Sequence, residues 1–265
     1  MIESAEGVDI VERTRQALGP VGAFLMWPLD RPPSVDTQRR ASRRLEDVGF
    51  GAAWVNEGVG GKDALVQLAL LLSCTERMIF GTGIANIWAR PAQTAHAAAS
   101  LLAQAFPGRL VLGQGVGFSG QAKSVGQELT SPARTMRSYL EQMTAPTPLP
   151  ALNAPYPRIV AANGPKMLEV ARDMADGAVP SGQPPEFTKH ARQTIGPHKL
   201  LVVLTETPLG HPVEEVVADV RGHRTAGADH VVVLLPKGTD FHLSIDYLEQ
   251  LGTRIDELAT LPYAT

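Results

Sequence analysis

Short apolar runs alternate with longer segments of helical periodicity along most of the chain. Each run is short enough for a buried strand, and each following segment repeats apolar residues three and four positions apart, as one face of a helix requires. This alternation predicts repeated parallel strand–helix units. The predicted strands span residues 22–27, 52–56, 78–86, 110–114, 158–162, 177–179, 199–206 and 230–235. The predicted helices span residues 34–48, 63–74, 91–105, 132–143, 165–174, 186–194, 213–226 and 243–259.

Eight such units favour a closed (β/α)8 TIM barrel, and 265 residues is close to the usual size of one barrel. An open, doubly wound sheet is the alternative, but the turn after the first predicted strand lacks the G-x-G-x-x-G fingerprint of a dinucleotide site. We predict a single α/β domain over residues 1–265, with an N-terminal extension at 1–20 and a short, irregular insertion at 115–157. In such a barrel the chemistry lies where the strands end.

The charge balance and the cysteine count exclude several kinds of partner and site. A net charge of −3 provides no field for nucleic acid or for an anionic membrane, so a small-molecule partner is favoured. The most apolar run, residues 64–74, is too short to span a bilayer. The N-terminus lacks the basic start and apolar stretch of a secretory signal, which predicts a cytoplasmic protein. Cys74 is the only cysteine, so a disulfide within the chain is excluded.

The histidines predict no metal site. All seven are scattered without a metal-ligand spacing, and the chain has no G-x-S-x-G elbow for a nucleophilic serine. We therefore expect a bound cofactor to perform the chemistry.

The second predicted strand ends in the polar pair Asn56 and Glu57. At the catalytic end of a barrel, Glu57 is a candidate acid, base or hydrogen-bond acceptor. The alternative is that both residues only cap or solvate the loop.

Two glycines, Gly81 and Gly83, interrupt the third predicted strand. Glycine within a strand marks a bulge or the close approach of a ligand, and the alternative is barrel curvature alone. Ile84, Asn86 and Trp88 follow at the mouth, where an amide can bind a ring carbonyl and an indole can stack. Trp88 has packing as its alternative role.

Two further segments are candidates for binding a cofactor. The fourth predicted strand runs into a glycine-rich loop that contains Gly113, Gly115 and Val116 but lacks the lysine of a nucleotide triphosphate loop, so we expect it to pack against a ligand. The fifth strand breaks into a helix at residues 163–166. Free N–H groups at such a helix start hold anions, and plain capping by the asparagine is the alternative. The candidate phosphate-binding residues are Asn163, Gly164, Pro165 and Lys166.

Three stretches together resemble the luciferase-like flavin and deazaflavin oxidoreductases, particularly the group described as probable coenzyme F420-dependent enzymes. They are FGTGIANIWARPAQTAHAAASLLAQAFPGRLVLGQGVG at 80–117, GFGAAWVNEG at 49–58 and VAANGPKMLEVARDMADGAV at 160–179.

The resemblance implies a barrel whose cofactor ring lies against a bulge after the third strand, often with a non-prolyl cis peptide, here at Gly83 and Ile84. It places the phosphate end at residues 164–166, Glu57 beside the reactive ring face and Asn86 at the ring edge. It also implies a homodimer that packs the helices after the second and third strands, at 64–74 and 92–105.

The function that follows is hydride transfer between coenzyme F420 and a small organic substrate, with Glu57 assisting a proton. A monooxygenase that uses flavin mononucleotide (FMN) is the first alternative. The link between the fourth and fifth strands is shorter than the resemblance implies, so a non-catalytic flavin-binding or deazaflavin-binding protein is the second.

Overall fold

A closed barrel of parallel strands forms the centre of the protein. The computed structural model describes residues 3–26, 31–149, 152 and 154–259. Pairing between the third and fifth strands closes the ring, with Phe80 opposite Leu110 and Gly81 opposite Val111. The predicted barrel is therefore confirmed, and the open sheet is excluded. The strands are β1 (Val21–Phe24), β2 (Ala52–Val55), β3 (Ile79–Thr82), β4 (Ala85–Asn86), β5 (Leu110–Gly115), β6 (Arg158–Ala161), β7 (Gly177–Val179), β8 (Leu200–Glu206) and β9 (His230–Leu234).

Helices surround the barrel and connect its strands. They are α1 (Glu3–Leu18), α2 (Val35–Asp47), α3 (Ala64–Leu72), α4 (Ala92–Ala105), α5 (Ser119–Ser124), α6 (Pro132–Thr144), α7 (Pro165–Met174), α8 (Pro185–Ile195), α9 (Val213–Thr225), α10 (Phe241–Gly252) and α11 (Ile255–Ala259). Local chemistry explains the bounds of α2. The Ser34 hydroxyl accepts a hydrogen bond from the Thr37 N–H at its start, and Gly49, with φ +100°, follows its C-cap.

Four sequence predictions need correction. The predicted third strand is two pieces, β3 and β4, on either side of the peptide between Gly83 and Ile84. The predicted helix 243–259 is also two, because α10 ends at a C-cap on Thr253. Helix α3 ends at Leu72, before Cys74. Two helices, α1 and α5, were not predicted, since α1 has more polar than apolar residues and α5 is only six residues long. Trp27, at the end of the predicted first strand, lies outside the described residues.

Large side chains fill the barrel interior because glycines on neighbouring strands leave room for them. Trp54 and His230 are both fully buried, and the Trp54 indole N–H donates to His230 Nε2 at 3.1 Å. His230 Nδ1 then donates to the Gly19 carbonyl at 2.8 Å. A Cβ on Gly22 would lie 2.3 Å from His230 Nε2, and one on Gly81 would lie 2.3 Å from the Trp54 ring. The His230 imidazole and its partner Trp54 therefore fit in the interior only because positions 22 and 81 carry no side chain.

The opposite end of the barrel from the strand C-termini is organised around Asp229. Its carboxylate accepts hydrogen bonds from Arg15 at 2.9 Å, from Arg192 at 2.6 Å and from the Leu201 N–H at 2.7 Å. Arg15 belongs to α1, whose Leu18 is fully buried against the barrel interior. Helix α1 thus closes this end of the barrel.

The buried His230 predicts a pH-dependent stability. Burial lowers the pKa of His230 from 6.5 to about 4. Below pH 6.5 the unfolded chain takes up a proton that the folded chain refuses, so folding stability falls as the pH falls. We expect this group to remove about 3 kcal/mol from the free energy of unfolding between about pH 6.5 and about pH 4. The measurement is urea unfolding at several pH values.

His230→Gln is the matched comparison, because an amide can still accept from Trp54 and donate to Gly19 but does not titrate. The variant is expected to be less stable at pH 7 and to lose less stability on acidification. Equal losses in the two proteins over this pH range would contradict the assignment.

Candidate active site

A cavity of about 440 Å³ opens at the C-terminal ends of the strands, where a barrel of this kind carries its chemistry. Its volume lies within the range of small-molecule sites. Its lining, among the described residues, draws on loops that follow almost every strand. The lining residues are Met26, Asn56, Glu57, Gly83, Ile84, Asn86, Val116, Gly117, Phe118, Gln121, Ala161, Ala162, Asn163, Val179, Ser181, Leu204 and Lys237.

The peptide between Gly83 and Ile84 is cis, as the sequence resemblance implied. Hydrogen bonds to β2 and its loop hold both residues: the Gly83 N–H donates to the Val55 carbonyl at 2.7 Å, and the Ile84 carbonyl accepts from the Glu57 N–H at 3.1 Å. A Cβ on Gly83 would lie 2.9 Å from the Phe24 ring. Because Gly83 has no side chain, the Phe24 ring fits beside it in the barrel interior. Ile84 faces the cavity.

The other two predicted glycines also serve packing. A Cβ on Gly113 would lie 2.0 Å from the Thr82 carbonyl oxygen, and one on Gly115 would lie 2.9 Å from the Ile84 side chain. Neither glycine lines the cavity, although Val116 does. The glycine-rich segment thus packs against the Ile84 side chain at Gly115.

Glu57 holds two segments of the cavity together, the connection from β2 to α3 and the segment from β4 to α4. Its carboxylate accepts from the Ala64 N–H at 2.9 Å, from the Asn86 N–H at 2.8 Å and from two nitrogens of Arg90, one of them at 3.1 Å. Arg90 also binds Asp63 at 2.8 Å. The Glu57 side chain is only 1% exposed. Hydrogen bonds already engage both carboxylate oxygens, so the geometry favours a positioning role for Glu57.

Lys62 lies beside this cluster in the loop between β2 and α3. Burial lowers the pKa of Lys62 to about 7, although the negative charge of Glu57 acts in the opposite direction. Burial also disfavours the charge on Arg90, but hydrogen bonds and charge attraction from Glu57 and Asp63 outweigh it and raise the Arg90 pKa. The Arg90 guanidinium is therefore charged at neutral pH, beside the Glu57 carboxylate.

Asn86 and Trp88 play different parts from each other. Asn86 lines the cavity, donates through Nδ2 to Gln121 Oε1 at 2.9 Å and accepts through Oδ1 from the Trp88 N–H at 3.0 Å. Trp88 does not line the cavity, and its indole N–H donates to the Val116 carbonyl at 2.8 Å. Trp88 therefore fixes the backbone of the β5 loop.

Asn56 presents an unpartnered polar atom at the cavity wall. Its Oδ1 is buried and has no hydrogen-bond partner among the described residues, and its Nδ2 contacts the Met26 sulfur at 3.7 Å. A buried acceptor without a donor is costly, by about 1–3 kcal/mol. A ligand N–H at this position would satisfy it.

The structure places only one residue of the predicted anion site, Asn163, in the cavity lining. Asn163 lines the cavity, and its amide exchanges two hydrogen bonds with the Ser181 backbone, at 2.8 and 3.1 Å. The alternative that Asn163 caps the following helix is wrong, because Gly164 is the N-cap of α7 and makes no side-chain capping bond. Gly164, Pro165 and Lys166 do not line the cavity.

Several lining residues were missed by the sequence analysis. Ser181 and Lys237 follow β7 and β9, so a systematic reading of every residue after a predicted strand would have found them. Phe118 and Gln121 lie at the start of α5, where no apolar periodicity marks a helix. Arg90 carries no sequence signal, because its partner Glu57 is 33 positions away.

Neither a metal cluster nor a membrane span is found in the described ranges. No group of three or more histidine, cysteine, aspartate or glutamate side chains is arranged to hold an ion. No helix within these ranges is long and apolar enough to cross a bilayer.

Comparisons with known proteins agree on one family and fold. Residues 20–196 match the family model for luciferase-like monooxygenases. The 5,10-methylenetetrahydromethanopterin reductase of Archaeoglobus fulgidus is 26% identical over 168 residues, which is 57% of this chain and 50% of that protein. The chain thus spans about half the length of the curated relatives it matches.

Two solved structures share the fold. An F420-dependent secondary alcohol dehydrogenase, in complex with an F420–acetone adduct, has a TM-score of 0.70 at 15% identity, covering 88% of this chain and 98% of that one. The coenzyme F420-dependent tetrahydromethanopterin reductase of Methanopyrus kandleri has a TM-score of 0.69 at 16% identity, covering 87% and 97%. These likenesses show the single-domain barrel fold.

The buried ion pair predicts a large loss of stability when either partner is removed. Arg90→Met leaves the Glu57 carboxylate buried without its cation, and Glu57→Gln leaves Arg90 without its main anion. Each change is expected to lower the free energy of unfolding by about 3 kcal/mol, and the double variant by less than the sum of the two. Urea unfolding of all four proteins completes this double-mutant cycle.

Arg137→Met is the control, because Arg137 and Asp173 form an ion pair with both side chains more than a third exposed. It is expected to cost less than about 1 kcal/mol. Additive effects of the Arg90 and Glu57 changes would show that the two side chains do not act as a pair.

Proposed function

Because the chain belongs to the luciferase-like monooxygenase family, we propose that it is an oxidoreductase that transfers a hydride between coenzyme F420 and a small organic substrate. The cavity at the strand ends is the proposed site. The observation that carries the proposal is Asn56, which lines the same cavity as the apolar side chain of Ile84 and whose buried Oδ1 has no hydrogen-bond partner among the described residues.

The residues present fit a deazaflavin or flavin ring. Such a ring is planar and largely apolar, with N–H and carbonyl groups along its pyrimidine edge. Ile84, Leu204 and Val179 provide apolar walls, and Asn56 provides the acceptor that a ring N–H needs. The proposed contact between Asn56 and the ring edge would remove the cost of the unpartnered oxygen.

Two places around the cavity offer groups for the phosphate-bearing tail that both cofactors carry. Lys237 lines the cavity, and the first turn of α7 begins beside Asn163 at Gly164. A helix N-terminus and a lysine each favour an anion. In the proposal, Lys237 joins Gly164 and Lys166 as a candidate for holding this tail.

When bound, a deazaflavin supplies a ring carbon that accepts or donates a hydride. The residues of this chain bind and orient it. Glu57 keeps the Asn86 backbone and Arg90 in place. The sequence-based role of Glu57 in assisting a proton needs a free lone pair, so the proposal assigns Glu57 to positioning. Glu57→Gln tests both roles.

Coenzyme F420 is the proposed cofactor because two of the solved structures of similar fold are named as F420-dependent. An FMN-dependent monooxygenase is the alternative, and the name of the matching family model favours it. The two cofactors absorb at different wavelengths, so one set of titrations distinguishes the proposals.

We expect coenzyme F420 to bind the purified protein at least tenfold more tightly than FMN, as measured by quenching of tryptophan fluorescence. Asn56→Leu removes the buried acceptor and is expected to weaken F420 binding about tenfold. Gln142→Ala, which removes an exposed amide on α6, is the control. Absence of F420 binding, or equal affinity in the Asn56 variant, would count against the site.

A homodimer through α3 and α4 is part of the proposal. These neighbouring helices each expose a large apolar side chain, Val66 at 61% and Leu101 at 57%. A twofold interface places the same patch of both subunits together, so each exposed side chain would be buried twice.

Charges placed on this patch are expected to separate the subunits. Val66→Asp combined with Leu101→Lys should convert a dimer to a monomer in light scattering coupled to gel filtration, because charges lose hydration at an apolar interface. Leu243→Lys on α10, where the side chain is 52% exposed, is the control. A wild-type protein that is monomeric at high micromolar concentration would refute the dimer.

A further inference from the structure

Phe118 is a large apolar residue at the cavity mouth, and little of its side chain is covered by other protein atoms. It follows β5, lines the cavity and is 82% exposed, more than any other exposed large hydrophobic residue in the described ranges. Most of its ring surface therefore faces solvent or the cavity. A bound molecule that covered this ring would remove a substantial apolar area from water.

The backbone beneath Phe118 is fixed by hydrogen bonds. Gln121 Oε1 accepts from the Phe118 N–H at 3.2 Å and from Asn86 Nδ2 at 2.9 Å. The Gln121 N–H in turn donates to the Phe118 carbonyl at 2.9 Å. Since Asn86 is buried and ends β4, this amide bridge ties the turn that carries Phe118 to the barrel itself.

The turn also depends on Gly117. This residue has φ +57°, a left-handed conformation that favours glycine. A Cβ there would lie 2.0 Å from Gln121 Oε1 and 2.7 Å from Asn86 Nδ2. The bridge and the position of the aromatic ring are therefore built together.

The cavity has different chemistry on its two sides. In the ring of strands, β5 and β9 lie opposite each other, so Phe118 and Lys237 reach the mouth from opposite sides. The lining residues next to Phe118 are uncharged, namely Val116, Gly117, Gln121 and Asn86, and the Glu57 carboxylate beside Asn86 is already paired with Arg90. A charged group placed on this side would lose hydration without gaining an ionic partner.

We propose that Phe118 determines substrate specificity by covering the uncharged, apolar part of the organic substrate, with Gln121 as the residue that positions it. This inference rests on the proposed function, since it places the substrate in the cavity assigned to the cofactor. The substrate class it names is an uncharged organic compound with an aromatic or bulky apolar group.

Probe binding measured by saturation-transfer difference NMR tests the inference. The probes are acetophenone and 4-acetylbenzoate, which share a ketone and a ring but differ by one carboxylate. Each is titrated into the protein loaded with whichever cofactor binds, and into the cofactor-free protein. Acetophenone is expected to bind at least tenfold more tightly than 4-acetylbenzoate, with the strongest saturation on its ring protons.

Two variants of Phe118 grade the effect. Phe118→Ala is expected to weaken acetophenone binding about tenfold, and Phe118→Leu to weaken it less, because leucine retains part of the apolar area. Cofactor affinity is measured for both variants as well, because Phe118 lines the cavity proposed for the cofactor. Leu243→Ala, which removes another exposed apolar side chain far along the chain on α10, should change neither affinity.

The positioning role of Gln121 has its own comparison. Gln121→Ala removes the acceptor that Phe118 and Asn86 share and is expected to weaken acetophenone binding nearly as much as Phe118→Ala. Gln121→Glu retains two acceptor oxygens at the same reach and should restore most of the affinity. A merely structural effect would give the same loss in both variants.

The outcomes separate this inference from the proposed function. If the wild type binds neither F420 nor FMN, the proposed function fails, and the titrations of the cofactor-free protein still decide the role of Phe118. If a cofactor binds but acetophenone binds equally to wild type and Phe118→Ala, or not at all, the specificity role is refuted while the cofactor site stands.

Discussion

One buried carboxylate organises the mouth of this barrel. Glu57 ends the β2 segment, and its two oxygens gather the first N–H of α3, the N–H of Asn86 in β4 and the guanidinium of Arg90 before α4. These groups belong to loops that have no shared secondary structure. Since a carboxylate buried to this degree requires all of its donors, the connection from β2 to α3 and the segment from β4 to α4 are fixed relative to one another. The cavity wall from Asn56 to Ile84 and Asn86 depends on that arrangement.

Packing inside the barrel imposes a second constraint. Trp54 and His230 fill the space that Gly22 and Gly81 leave open, and Phe24 and Leu204 do the same beside Gly83. The glycines that predicted ligand contact from the sequence therefore mostly make room for large neighbouring side chains. Side chains from several strands fill the interior. This packing also supports Ile84, which faces the cavity.

The sequence predicted the architecture well because periodicity reports burial directly. Six of the eight predicted strands and the bounds of α2, α6 and α7 agree with the structure within two residues, whereas β1 ends three residues before the predicted end and the predicted third strand is divided into β3 and β4. The structure also brings candidate residues from several strand ends together, since Asn56, Glu57, Gly83, Ile84, Asn86, Val116 and Asn163 all line one cavity. Trp88 and Gly113 do not, because proximity to a strand end does not give the direction of a side chain. The partners of Glu57 and the bridge from Asn86 to Gln121 join distant positions, and no local pattern encodes such pairs.

The carboxylate of Asp229 has a consequence for how this protein can change. It binds Arg15, Arg192 and the start of β8 at the end of the barrel remote from the cavity, and the packed interior that contains Trp54 and His230 separates it from Glu57. Each end of the barrel thus has its own carboxylate, Asp229 or Glu57, that holds neighbouring segments together. Substitutions aimed at thermal stability can therefore be placed at the α1 end, away from the residues that line the cavity.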